Sequence, residues 1–210
     1  MKRLLHCVFR HDGTDIPEVV HNHRLAVATS LWRDDELPDV ARLLAYEKSI
    51  ASLHATRTVV PLRFGCVMED QSQILQLLDE REAEFEQLLG QLEGLVEMGL
   101  RVWSKSAAEE PLPASPGARY LAAVRGRHAG LTPTEEQWAQ HVCESIEGFY
   151  EREKREARPA LEGRLVSLHF LVVRAAAEEF RERVGRLAVS GEMKLMVSGP
   201  WPPYNFVGHA

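Results

Sequence analysis

Apolar residues alternate with period two at the start of the chain. Leu5, Cys7 and Phe9 fall on one side, and Leu4, His6 and Val8 on the other. This predicts an opening strand covered on both faces. Gly13 and Pro17 mark a loop. A second alternating run sets Leu25, Val27, Thr29 and Leu31 against the small Ala26, Ala28 and Ser30, and Asp34 to Pro38 ends it. From Pro38 the spacing of Val40, Leu43, Leu44, Ile50 and Leu53 predicts a helix of about four turns, with the proline in its first turn. Thr58 to Gly65 returns to period two. Pro61 has no N–H to donate to a ladder, which places this strand at an edge or gives it a bulge. Asp70 with Gln73 predicts a capping box. Ile74, Leu78, Phe85, Leu88 and Leu92 then mark one long amphipathic helix, stopped by Gly94. Val96, Met98, Leu100 and Val102 predict the next strand, ending near Trp103.

Residues 104–118 differ in character, with three prolines among small and acidic residues. They read as a linker between a domain spanning 1–103 and a second spanning 119–210. In the first half, helices on one face of a mainly antiparallel sheet make an α+β arrangement. The second half opens with a short helical stretch from Tyr120 to His128. Thr132, Pro133 and Glu135 then supply the cap, first position and third position of a helix start. Trp138, Val142, Ile146 and Phe149 share one face of that helix, which the pattern carries as far as Pro159. Arg164 to Arg174 is the best strand in the chain. Val166, Leu168, Phe170 and Val172 lie on one face, with Leu165, His169, Leu171 and Val173 on the other, so it is read as central. Phe180, Val184 and Leu187 predict a helix, and Met193, Leu195 and Val197 a last strand.

Composition narrows the function classes. The 210 residues carry 25 Lys plus Arg against 31 Asp plus Glu, a net charge of -6. That argues against nucleic acid, whose phosphates call for a basic surface. Cys7, Cys66 and Cys143 are odd in number and far apart. They form no disulfide framework or structural zinc pattern, and a reducing cytoplasm is expected. No apolar run reaches the roughly 18 residues of a membrane span.

The search for chemistry yields no catalytic, cofactor or metal residue. His6, His11, His21 and His23 lack a third ligand at a recognisable spacing. Nucleophile and phosphate-loop motifs are missing, and Cys66 reads as a small buried thiol. The carboxylates of 80–86 and 144–156 alternate with Arg and Lys at helical spacing and read as solvated faces. Two features remain. In the tail, Pro200, Pro202 and Pro203 stiffen a segment that leaves a strand at Gly199 and bears Trp201, Tyr204 and Phe206. These rings either fold back to seal the domain or form an exposed patch for a protein partner. Arg63, in the apolar stretch ending at Phe64 and Gly65, is either a buried ion-pair residue or a recognition residue.

The segment Val60-Pro61-Leu62-Arg63-Phe64-Gly65-Cys66-Val67, the segment Gly117-Ala118-Arg119-Tyr120-Leu121, and the tail from Ser198 to Val207 resemble the gas vesicle protein F/L family. The resemblance implies two α+β domains, the second modified ferredoxin-like. It also implies a non-enzymatic minor component required for gas vesicle formation, without cofactor or metal, that binds the hydrophobic shell protein and other accessory proteins. With it come a place in the cytoplasm and on the gas vesicle, and a monomer in isolation. Arg63, Phe64, Trp201, Tyr204 and Phe206 are the expected partner-binding residues, and Pro61, Gly65, Gly199, Pro200, Pro202 and Pro203 shape their motifs. The competing reading is a small-ligand binder or enzyme on a ferredoxin-like scaffold, with a pocket around His169.

Overall fold

The computed structural model describes residues 1–14, 16–33, 39–104, 115, 130–160, 163–187 and 194–208. Within them lie β1 (Arg3–Arg10), β2 (Val19–His21), β3 (Leu25–Leu31), α1 (Val40–His54), β4 (Val60–Pro61), β5 (Val67–Met68), α2 (Gln71–Glu80), α3 (Glu82–Gln91) and β6 (Leu95–Ser104). Then follow α4 (Pro133–Ser145), β7 (Arg152–Ala160), β8 (Gly163–Val173), α5 (Ala177–Gly185) and β9 (Lys194–Trp201). The fold class is α+β, with two sheets carrying helices. The expected starter Pro38, the stretch Tyr120 to His128, the Gly117–Leu121 motif, Met193 and nearly all of 104–118 lie outside the described residues.

The chain forms two compact units. One is Met1–Val96 with the segment from Trp201 onward, and the other is Glu97–Pro200. The division therefore differs from a single boundary after residue 103. Strand β6, assigned by the sequence to the first half, hydrogen-bonds within the second sheet, and the tail belongs to the first unit.

In the first unit the sheet order is β2-β3-β1-β4, with β5 also on β1, and every pair is antiparallel. The short edge strand β2 falls in what the sequence read as loop. Strand β1 is irregular at His6. Its pairing with β3 slips between Leu5, opposite Thr29, and Cys7, opposite Ala28. One extra residue in a strand puts two neighbouring side chains on the same side. Hence Leu4, Cys7 and Phe9 pack together with Tyr46 and Ile50 of α1. This corrects the simple alternation that grouped Leu5 with Cys7 and Phe9. Leu5 and Val8 face the other way and are fully buried. Helices α2 and α3 lie against the same sheet and supply Ile74, Leu78, Phe85 and Leu89, none of them in the α1 cluster. Helices therefore cover both faces, not the one face expected.

Helix α1 is capped by Asp39, whose carboxylate accepts from the Arg42 N–H at 2.7 Å. The long helix expected over 70–92 is two, broken at Arg81 (φ -110°, ψ 18°). Asp70 caps α2 through the Gln73 N–H at 3.0 Å, while the Gln73 side chain accepts from the Glu69 N–H. The reciprocal half of the box thus lands one residue early.

The second sheet runs β7-β8-β6-β9. Strand β8 is internal, as its two apolar faces require. Helix α4 opens with the full capping box of Thr132 and Glu135 but ends at Ser145, and Gly148 (φ +83°) turns the chain back. Residues 152–160, expected as helix, form edge strand β7 against β8, from Arg152 opposite Leu171 to Ala160 opposite Gly163. The dense charge that suggested a helical face is instead the charge that protects a sheet edge. Glu153 and Phe170 are paired and share a face. Phe170 meets Tyr150 and Phe180 of α5 at ring separations of 5.0 and 5.4 Å, and Glu153 meets Cys143 of α4. Both helices thus lie on this face.

Gly199 leaves β9 at φ +110°, and the Gly199–Pro200 peptide is cis. A Cβ there would sit 2.6 Å from the Glu97 carbonyl oxygen. Gly199→Ala combines a positive φ with a backbone clash and should cost roughly 2 kcal/mol or more. Gly130→Ala, with open space around it, should be near neutral. Urea denaturation of the two variants against wild type checks this.

Candidate functional site

The Pro61–Cys66 segment is built by an interruption of the sheet. Val60 and Pro61 pair with Val8 and Cys7, and Val67 and Met68 pair with Leu4 and Arg3. Leu62 to Cys66 therefore stand opposite only Leu5 and His6. The Leu62 N–H donates to the His6 carbonyl at 2.9 Å and the Leu5 N–H to the Cys66 carbonyl at 2.9 Å, so the excursion is clamped at both ends. Within it the Cys66 N–H donates to the Arg63 carbonyl at 3.1 Å, with Gly65 at φ +93°. That is a turn whose third residue must be glycine-like. Pro61 is both at the edge and beside a bulge.

This turn swings Phe64 onto an aromatic cluster. Its ring meets Tyr46 edge-on at 5.1 Å and Trp32 at 6.4 Å. Tyr46 is buried, donates its hydroxyl hydrogen to the Leu62 carbonyl, and packs edge-on against His6 at 5.0 Å. The Arg42 guanidinium lies 4.4 Å over the Trp32 ring. Burial pushes the Tyr46 phenol far above its usual pKa, and the nearby Tyr204 phenol adds to the shift. Phe64, Tyr46 and Tyr204 are thereby gathered in one unit.

Among the other expected partner residues, Arg63 is exposed, so a buried ion pair is not its role. Trp201 is 49 % exposed and Tyr204 37 %, whereas Phe206 is 6 % exposed. Phe206 is therefore an anchor and offers no surface to a partner. Pro202 and Pro203 are buried with it, and Pro200 is exposed. The Tyr204 N–H donates to the Pro202 carbonyl at 2.8 Å and the Phe206 N–H to the Pro203 carbonyl at 3.1 Å, which coils the tail tightly.

Sequence reasoning missed His6 and the neighbours of its ring. Nδ1 lies 2.9 Å from the Ser49 hydroxyl and Nε2 2.9 Å from the Ser30 hydroxyl. Burial lowers its pKa to about 4. The available signal was a lone histidine inside an apolar alternation. His11 and His21 stack at 3.9 Å, and His23 lies 3.8 Å from Glu82. Among the described residues no group of three or more His, Cys, Asp or Glu side chains is placed to hold a metal. No described helix is long and apolar enough to cross a membrane.

The second unit carries polar pairs, one of them at Glu153, in the stretch 144–156 that the sequence read as a solvated helical face. Glu153 accepts from the Cys143 thiol at 2.5 Å and from the Arg155 guanidinium, which also reaches Glu136 and Gln140. Burial, with the Glu153 carboxylate beside it, pushes the Cys143 thiol up to about 12. The buried Glu135 carboxylate accepts from Arg164 at 2.7 Å and from the Thr132 N–H at 2.7 Å. Burial raises its pKa, but these bonds outweigh that and the net shift is downward. His169 hydrogen-bonds Glu97 at 3.0 Å between β8 and β6.

Two α+β units, each a sheet carrying helices, define the class of fold. The chain belongs to the family described as gas vesicle synthesis protein GvpL/GvpF, whose model matches residues 10–208. It is 27 % identical over 193 residues to gas vesicle protein L of Streptomyces sp. (strain CB03234), covering 84 % of this chain and 71 % of that protein. It is 29 % identical over 201 residues to gas vesicle protein F of the same strain, covering 87 % and 84 %. The fold matches the crystal structure of GvpF from Anabaena sp. PCC7120 with a TM-score of 0.72, 18 % identity and coverage of 100 % and 99 %. It matches GvpF from Microcystis aeruginosa at 0.69, 16 % identity and 98 % of each chain. A gas-vesicle role follows from the family.

A histidine whose folded pKa is depressed binds its proton more readily when unfolded, so protonation favours unfolding. The His6 contribution is present above the usual 6.5 and is lost as pH falls toward about 4. His6→Gln should flatten the rise in stability between those limits. Urea midpoints measured across that range check the slope.

Proposed function

We propose that the protein is a non-enzymatic accessory component of gas vesicle formation that binds the hydrophobic shell protein and other accessory proteins during assembly. The observation that carries this is the gathering of Phe64, Tyr46 and Tyr204 in one unit, with Trp201 and Tyr204 exposed on a tail anchored by Phe206. Exposed aromatics on a fixed backbone are the side chains that most often dominate protein interfaces. Shell subunits are strongly apolar, and an acidic partner of net charge -6 keeps such a complex dispersed. On this reading the protein acts in the cytoplasm and on the vesicle, is a monomer in isolation, and uses no cofactor, metal, nucleic acid or membrane. The second unit is then a modified ferredoxin-like domain. Its described order of strand, helix, strand, strand, helix, strand and its sheet order β7-β8-β6-β9 support that assignment.

Capture of the shell protein on the immobilised full chain tests the proposal. Wild type should retain it, and Trp201→Ala or Tyr204→Ala should reduce capture about tenfold, the scale of an interface hot spot. Arg63→Ala should act in the same direction. Failure of wild type to capture, or undiminished capture by all three folded variants, overturns the reading.

A further inference from the structure

Beside the aromatic cluster, on the α1 side of the first sheet, lies a cleft of about 650 Å³. Leu4, Leu31, Ala45 and Tyr46 give it apolar walls, and Glu18, Asp39 and Arg42 bring charge to it. The size suits an aliphatic side chain with room to spare. Its charge balance selects the ligand. His6, which also lines the cleft, is neutral at pH 7 because burial lowers its pKa to about 4. The Arg42 guanidinium donates to the Leu31 carbonyl at 3.1 Å and lies over the Trp32 ring. Two carboxylates against one guanidinium make the lining net negative.

Glu18 also sits in a left-handed conformation, at φ 62°, the single non-glycine residue with positive φ among the described residues. Its carbonyl is pinned there by the Thr29 N–H at 2.8 Å and the Thr29 hydroxyl at 2.7 Å. Such conformations are strained for a residue with a side chain and collect at binding sites. The mouth of the cleft is flanked by exposed Leu31 and Ala45. Whatever brings a cation here also covers apolar surface, which a protein chain does and a free amine does not.

We propose that this cleft receives a lysine or arginine side chain of the protein partner, its charged end held by Glu18 and Asp39 and its stem against Leu4, Leu31, Ala45 and Tyr46. The proposal rests on the reading of the protein as a binder of vesicle components and names a second point of contact for it.

The test uses the full chain and a fluorescein-labelled amphipathic peptide of leucine and alanine carrying one central lysine, with glutamine and glutamate versions beside it. Anisotropy should show the lysine peptide binding about tenfold tighter than the glutamine peptide, and more weakly at high salt. Glu18→Gln with Asp39→Asn, which keeps a helix cap, should erase the difference. Ala45→Phe, filling the cleft from an exposed helix position, should block the lysine peptide. Binding blind to the lysine, no binding at all, an undiminished difference in the double variant, or equal displacement by free spermidine overturns the proposal. Shell capture separates the two readings. Capture by wild type that the double variant leaves unchanged sinks the cleft and spares the general function, whereas no capture by wild type sinks the function.

Discussion

The first unit depends on one extra residue in its central strand. His6 interrupts the pairing of β1 with β3, and on the other edge of β1 it faces the excursion of Leu62 to Cys66. A regular β1 would turn Leu4 and Cys7 to opposite faces and leave α1 without its floor. The slip instead puts both under Tyr46 and Ile50. It also frees the His6 carbonyl to accept from Leu62, while the His6 ring meets Ser30, Ser49 and Tyr46. Tyr46 then ties the helix to the excursion through the Leu62 carbonyl. The Phe64 ring, the cleft and the fixed turn are consequences of that single irregularity.

A different constraint governs the second unit. Its β6 and β9 approach so closely that the backbone demands glycine at Gly199, while the close neighbour of Gly99 is only a side-chain end. A Cβ at Gly99 would lie 2.7 Å from the Ser198 hydroxyl, and one at Gly199 would lie 2.6 Å from the Glu97 carbonyl. The second unit runs from Glu97, in β6, to Pro200, in β9.

Much of this was legible in the chain. Strands β1, β3, β6 and β8 carry clear alternation, and the caps at Asp70 and Thr132 read correctly because capping is local chemistry. What failed was non-local. The β1 bulge has no sequence signature, since His6 fits the alternation it breaks. Arg81 splits a helix whose apolar spacing continues across it. The segment Arg152 to Pro159 looked helical because its charges repeat densely, yet Gly148 had already turned the chain and the charges serve a sheet edge. Of the candidate site, the turn and the tail were visible as motifs. The cleft was not, because Glu18, Ser30, Asp39 and Ser49 are ordinary residues until α1 is laid across β1 and β3.

The tail shows how a short sequence divides its labour. Three rings within six residues would be an aggregation risk if all were exposed. Burial of Phe206, Pro202 and Pro203 fixes the backbone, and two short hydrogen bonds, into the Pro202 and Pro203 carbonyls, close it. Trp201 and Tyr204 are then displayed from a segment whose conformational entropy is already spent. A partner docking there orders little more than two side chains, each with few rotatable bonds, so most of the apolar area it covers counts toward affinity. The same logic explains why prolines suit this place. They cannot serve as ladder donors, but they lower the entropy of the unbound tail. On the proposed reading of the tail as a binding segment, its three prolines act through the free protein, whether or not a partner touches them.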